Sequence, residues 1–159
     1  MLKIIISRII LFFFALTLSG CNIQRNMLYY PSSYLPSQEA LTAHNMAFWP
    51  HGPADYRGFT SAMQAGKHRG TIVVFHGNAG TAADRTYYLS VLAPLGYRVI
   101  LAEYPGYGGR KGELGEKFFV NDAKETVRLA FEKHGSPLFL LGESLGCGVA
   151  AAAARESPV

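Results

Sequence analysis

Three short apolar runs, 71–75 (TIVVF), 97–102 (YRVILA) and 138–141 (LFLL), alternate with stretches whose apolar residues recur at helical spacing. Runs rich in β-branched residues and bounded by glycine read as buried strands. After the first, Tyr88, Val91, Leu92 and Leu95 mark one face of a helix over about 82–92, which Gly96 stops. After the second, Phe119, Ala123, Val127, Ala130 and Phe131 mark another, ending at His134-Gly135. After the third comes an alanine-rich helix, 149–154, stopped by Pro158. Strand then helix, three times over, implies parallel strands joined by right-handed crossovers. Unbroken apolar strands imply a sheet covered on both faces. The expected fold is therefore α/β, with a mostly parallel, doubly wound sheet. Residues 55–60 read as one more strand and 66–70 as a polar turn, with no internal repeat.

Composition narrows the function classes. The 159 residues are 49% hydrophobic and 16% charged, too apolar for a disordered chain. Two cysteines cannot supply a disulfide framework. The net charge is +4, and two of the bases, Lys3 and Arg8, lie in the first twenty residues, which hold no acid. The remaining 139 residues carry thirteen bases against eleven acids. That balance, with no basic run along one face, argues against a nucleic-acid partner.

The N-terminus reads as an address. Two bases, an apolar run over 9–18 and the small residues of Leu18-Ser19-Gly20-Cys21 describe an export signal. The run is about half of the roughly 20 residues that cross a bilayer. Leu-Ser-Gly-Cys resembles the lipobox of bacterial lipoproteins, which implies lipidation of Cys21, cleavage before it, and a stable hold on a membrane. Asn22, where aspartate would favour inner-membrane retention, implies the outer membrane or the periplasmic face if the source has two membranes. The alternative is a plain secretory signal or uncleaved anchor. With Cys21 acylated, Cys147 is the one thiol left.

The chemistry centres on Gly142-Glu143-Ser144-Leu145-Gly146. Serine is a weak nucleophile whose hydroxyl must be exposed, activated, and served by donors for the oxyanion it creates. A strand entering a helix through a very tight turn exposes it. Backbone crowding there requires small residues two before and two after the serine. The N–H of Leu145 would then point at the oxyanion from a helix N-terminus. A second loop, His76-Gly77-Asn78-Ala79-Gly80, directly follows the run at 71–75, where Gly77 lets another backbone N–H approach.

These motifs resemble the α/β-hydrolase superfamily over essentially 29–159. The resemblance assigns Ser144 as nucleophile and Leu145 and Asn78 as the oxyanion-hole N–H donors, with Gly142, Gly146 and Gly77 as the elbow and loop glycines. It gives His76 a structural role in holding its loop. The stretch Glu103-Tyr104-Pro105-Gly106-Tyr107-Gly108, with glutamate where the family often has aspartate, and Tyr29-Tyr30-Pro31 resemble the serine-aminopeptidase-like and monoacylglycerol-lipase-like branch. Implied substrates are small-molecule esters, thioesters or amides, and no metal or cofactor is implied. The expected layout is 1–20 signal peptide, 21–54 tether and N-terminal edge, and 55–159 the N-terminal part of a hydrolase domain.

Among the other candidates, His134 reads as a helix-ending cation favoured by the dipole, and Asp84 and Asp122 as acids near helix starts. Glu143 reads as lining the site, and Cys147 as a small packing residue or, less simply, a thiol activated by a helix N-terminus. His44, His51 and His68 read as solvated. In the fold implied, the triad acid and base follow the serine, but only Glu156 follows Ser144 and no histidine or aspartate does. The sequence therefore leaves three readings: a serine hydrolase of which this is an N-terminal fragment, inactive alone; a non-catalytic, membrane-anchored lipoprotein keeping half a hydrolase fold as a binding or structural module; and a half-enzyme completed by a second chain.

Overall fold

A computed structural model describes residues 27–62, 66–155 and 157. By its contacts the chain divides into two units, Met1–Tyr30 and Pro31–Val159. Only 27–30 of the first are described, so the lipobox and Cys21 lie outside the described residues.

The second unit is built on a five-stranded sheet. In chain order the strands are β1 (Met46–Pro50), β2 (Tyr56–Ser61), β3 (Gly70–Phe75), β4 (Tyr97–Ala102) and β5 (Leu138–Gly142). Helix α1 (Gln38–Ala43) precedes them, α2 (Thr86–Leu92) joins β3 to β4, α3 (Glu116–His134) joins β4 to β5, and α4 (Leu145–Ala154) follows β5. The strand order is β1-β2-β4-β3-β5. Strands β4, β3 and β5 pair in parallel, while β2 runs antiparallel to both β1 and β4. The sheet is therefore mixed. Four strands share one direction, as the alternating pattern implies, but reversal of β2 makes two of the four pairings antiparallel.

Strand β3 is buried along its whole length because it has a strand on each side and helices over both faces. Its side chains alternate between two cores. Ile72 and Val74 join Val99, Leu101, Phe59, Leu89 of α2 and Leu41 of α1 in one cluster. Val73, Phe75 and Ile100 point to the other side, toward α3 and α4, which pack on each other and on β3. Helix α3 buries Phe119, Ala123, Thr126, Val127 and Ala130, a stripe at 3–4-residue spacing. Gly135, at φ +71°, ends it by donating its N–H to the Phe131 carbonyl at 2.7 Å.

Two segments depart from the sequence expectation. The stretch read as a tether and first edge holds α1, capped by the Ser37 hydroxyl, and the edge strand β1. The helix expected over 82–92 is three pieces: a 3₁₀ turn at Ala82–Arg85, then α2, then a second 3₁₀ turn at Ala93–Leu95. The first turn buries Ala82 and Ala83 at three residues per turn and shifts the phase, so Leu89 faces the core. Val91 and Leu95, expected inside, are 60% and 54% exposed.

The register has one consequence for function. Phe75 pairs with Ala102 on one side and Gly142 on the other, so β3, β4 and β5 end together. The loops that leave them meet at one end of the sheet, where ligand sites of open α/β sheets lie.

Candidate active site

Ser144 sits between β5 and α4 with φ +53° and ψ −115°. A non-glycine residue there is strained by about 1–3 kcal/mol and persists only where its surroundings over-determine it. They do so through the two glycines. A Cβ on Gly142 would lie 2.4 Å from Cys147 Cα, Cys147 N and the Gly146 carbonyl oxygen. A Cβ on Gly146 would lie 2.0 Å from the Phe75 carbonyl oxygen and 2.7 Å from that of His76. The turn is closed by Glu143 N–H donating to the Phe75 carbonyl, Gly146 N–H to that of Glu143, and Cys147 N–H to that of Ser144, all at 2.9 Å. Leu145 opens α4, so its N–H is a first-turn donor that no helical carbonyl can reach.

The loop after β3 lies against this turn. A Cβ on Gly77 would stand 3.6 Å from Ser144 Cβ and 3.2 Å from Glu143 Oε1. Gly77 is thus the residue beside the serine, and Asn78 follows it in chain. The two motifs, 66 residues apart in sequence, form one site because β3 and β5 are neighbours.

What holds the 76–80 loop is the stretch after β4. The Tyr104 hydroxyl donates to the His76 carbonyl and the Tyr107 hydroxyl to the Asn78 carbonyl, each at 2.8 Å. The imidazole of His76 is fully enclosed. Its Nδ1 donates to the Gly77 carbonyl at 2.7 Å, and its Nε2 is hydrogen-bonded to Glu103 Oε1 at 2.8 Å. The other Glu103 oxygen accepts from Ala82 N–H at 2.9 Å. The rings of Tyr104 and Tyr107 flank His76 at 4.4 and 5.3 Å, and Phe119 stacks on Tyr104 at 4.7 Å. Burial, then the Glu103 charge, pushes the Tyr104 phenol far above its usual range, so it stays a donor at any working pH. Arg110 continues the support, donating to the Glu103 carbonyl and, at 2.8 Å through each terminal nitrogen, to Asp122. Asp122 also takes Arg57 at 2.8 Å. The acid read as a helix-start residue is in fact the pin that ties α3 to β2 and to the Glu103 loop.

Glu143 is clamped outside the turn. Arg85 reaches its two oxygens at 2.9 and 3.4 Å, and the Tyr87 hydroxyl donates at 2.9 Å. The Arg85 hydrogen bond is the main cause holding this carboxyl below its ordinary range, so Glu143 is a carboxylate at neutral pH. Cys147 is exposed, with its Sγ donating to the Gly142 carbonyl at 3.0 Å.

The chain's five histidines divide plainly. His76 has both ring nitrogens committed. His51 follows β1, four strand spacings from β5, or about 19 Å. His44, His68 and His134 lie toward the opposite end of the sheet. His134 is not the dipole-stabilised cation expected of a helix end: burial, then Arg98, Lys133 and His68, lower it to about 4, leaving it neutral at pH 7. Among the described residues no group of three or more His, Cys, Asp or Glu could hold a metal ion.

Residues 66–159 match the family described as serine aminopeptidase, S33. The chain belongs to that family. It is therefore a member of the α/β-hydrolase superfamily, and the mixed sheet with helices on both faces is the corresponding part of that fold. Lysophosphatidylserine lipase ABHD12 of Gallus gallus is 32% identical over 126 residues, 74% of this chain and 32% of its own length. The protein of the same name from Danio rerio is 38% identical over 82 residues, 50% of this chain and 22% of its own. An uncharacterised protein of Mycobacterium tuberculosis is 28% identical over 141 residues, 85% of this chain and 50% of its own. The chain thus spans half or less of these relatives' lengths. No solved structure matches the S33 chain.

Proposed function

We propose that this S33 chain carries the nucleophilic half of a serine hydrolase, with Ser144 as the residue that forms the acyl-enzyme. The observation that carries the reading is the strained backbone of Ser144, held between two glycines that have no room for a Cβ. Nothing in packing alone calls for a serine at φ +53°, whereas exposing a nucleophile at the end of a strand does. In the proposed reaction the Ser144 Oγ attacks an ester, thioester or amide carbonyl. Its proton passes to a base, and the oxyanion is held by the N–H groups of Leu145 and Asn78. Collapse expels the leaving alcohol, thiol or amine, and water then releases the acid and restores Ser144.

The lipase names of the relatives favour ester substrates, and a lipid ester among them. The base is proposed to lie outside this chain's histidines, since His76 is occupied and the other four stand away from Ser144. The lipobox reading completes the proposal: Cys21 is the lipidation site, and the protein is exported and membrane-held.

The test is labelling of the full chain with a fluorophosphonate probe. Oxyanion stabilisation alone retains a rate about 10³–10⁴ over water in enzymes stripped of their triad. The wild-type chain is therefore expected to label slowly, faster with added imidazole as a surrogate base, and not at all as Ser144→Ala. Absence of any Ser144-dependent labelling, with imidazole present and the fold intact by circular dichroism, would favour the non-catalytic lipoprotein instead.

A further inference from the structure

Charge that looks scattered along the sequence is segregated by the fold. The register pairs Gly70 with Tyr97, and Thr71 with both Arg98 and Leu138. The segments 66–72, 93–99 and 133–139 therefore come together at the end of the sheet opposite Ser144. They bring Lys67, His68, Arg69, Arg98, Lys133 and His134, and contain no Asp or Glu. The nearest acid in sequence, Glu132, is already paired with Arg128 one turn back along α3. Lys67 and Arg69 are exposed, whereas the Lys133 ammonium turns away to donate to the Pro50 carbonyl, at the end of β1, at 3.2 Å. The convergence is felt inside the cluster, since three of its members help to hold His134 uncharged.

Apolar side chains border the same end. Leu95 projects into solvent immediately before Gly96, and Val91 does so one turn earlier. The Arg69 guanidinium lies over the Tyr97 ring, 5.4 Å from its centroid. Cations interleaved with exposed Leu and Val are the pairing that lets a protein rest on a lipid headgroup layer: the bases meet anionic headgroups while the apolar groups enter the boundary. A nucleic-acid face would instead need a basic stripe tracking a backbone, and this cluster is a compact cap.

We propose that this end of the sheet, opposite the Ser144 elbow, is a docking surface for an anionic phospholipid membrane. It would leave the elbow end facing away from the headgroups. The inference rests on the charge placement and is independent of whether Ser144 is catalytic.

The experiment is co-sedimentation of the full chain with vesicles of phosphatidylcholine alone and with about 30% phosphatidylglycerol. The N-terminal apolar run, Lys3 and Arg8 are present in every variant, so the comparison isolates the cap. Wild type is expected to partition more strongly onto the anionic vesicles, and about 0.5 M salt removes the excess. Each base near such a surface contributes about fivefold in partitioning. Lys67→Glu/Arg69→Glu should therefore lower the anionic-to-neutral ratio at least tenfold, and the Gln double variant by less. Lys111→Glu/Lys117→Glu, which changes net charge equally, should leave the ratio within about twofold if docking is local rather than set by net charge. Equal losses in the two Glu doubles, no loss in the first, or salt-insensitive binding each overturn the proposal. So does duplex DNA that competes the wild type off the anionic vesicles but not the cap variant.

Discussion

Replacing Gly146 by alanine tests the elbow as a steric construction. The new Cβ would start 2.0 Å from the Phe75 carbonyl oxygen and 2.7 Å from that of His76. Backbone must yield by about 1 Å to restore ordinary contact, and neither carbonyl is free to move. The Phe75 carbonyl accepts the Glu143 N–H that closes the turn, and the His76 carbonyl is held by Tyr104. Overpacking costs typically 1–3 kcal/mol, and a strained buried hydrogen bond adds about 1 kcal/mol, so about 2–4 kcal/mol is expected. Against a total of roughly 5–15 kcal/mol this is a large fraction. At about 3–5 °C per kcal/mol for this size it lowers Tm by roughly 6–20 °C. Gly148 is the internal control: it lies on the same helix, and a Cβ there meets nothing within 4 Å. Gly148→Ala should therefore gain about 0.5–1 kcal/mol from helix propensity. Thermal melts of both variants by circular dichroism decide the matter. If Gly146→Ala melts within about 2 °C of wild type, or the two variants move alike, the crowding argument is wrong.

Ser144→Gly relieves the positive-φ strain, so it should raise stability by about 1 kcal/mol while abolishing probe labelling; a destabilised glycine variant in urea titration would contradict the strain reading. Tyr107→Phe unties the Asn78 carbonyl and should cost about 1 kcal/mol and slow labelling of Ser144, which Tyr87→Phe, on the far side of Glu143, should leave nearly untouched in stability. His134 has a folded pKa lowered to about 4 from 6.5. Its unfolded form gains a proton first as pH falls, so its contribution is present above about 6.5 and lost between there and 4. Halved for partial exposure, that is about 1 kcal/mol between pH 7 and 5, and His134→Gln should flatten that part of the stability–pH curve.

The elbow was legible because its requirement is local. Gly142, Ser144 and Gly146 state in five residues a steric condition that the backbone then meets. The strands were legible for the same reason, since an unbroken apolar run between glycines has few other uses. Phase was not. Only the 3₁₀ turn at Ala82–Arg85 decides that Leu89, rather than Val91 or Leu95, enters the core. Nor was the sense of β2 visible, because an alternating strand reads the same in either direction. The neutrality of His134 and the basic end of the sheet depend on which strand ends meet, a matter of register rather than of neighbours in sequence. Glu103 shows the middle case. Its place in the Tyr-Pro-Gly-Tyr-Gly stretch marked a motif, but its bond to His76, 27 residues away, becomes plain only once β3 and β4 lie side by side.

The role proposed for Ser144 ties its strained backbone to a nucleophile. Peptide mapping by mass spectrometry of the fluorophosphonate-treated full chain tests it most directly. One phosphonyl adduct is expected, on Ser144, formed faster with imidazole and lost in Ser144→Ala. An adduct confined to another residue, or none on Ser144 in the folded protein at any imidazole concentration, would contradict it.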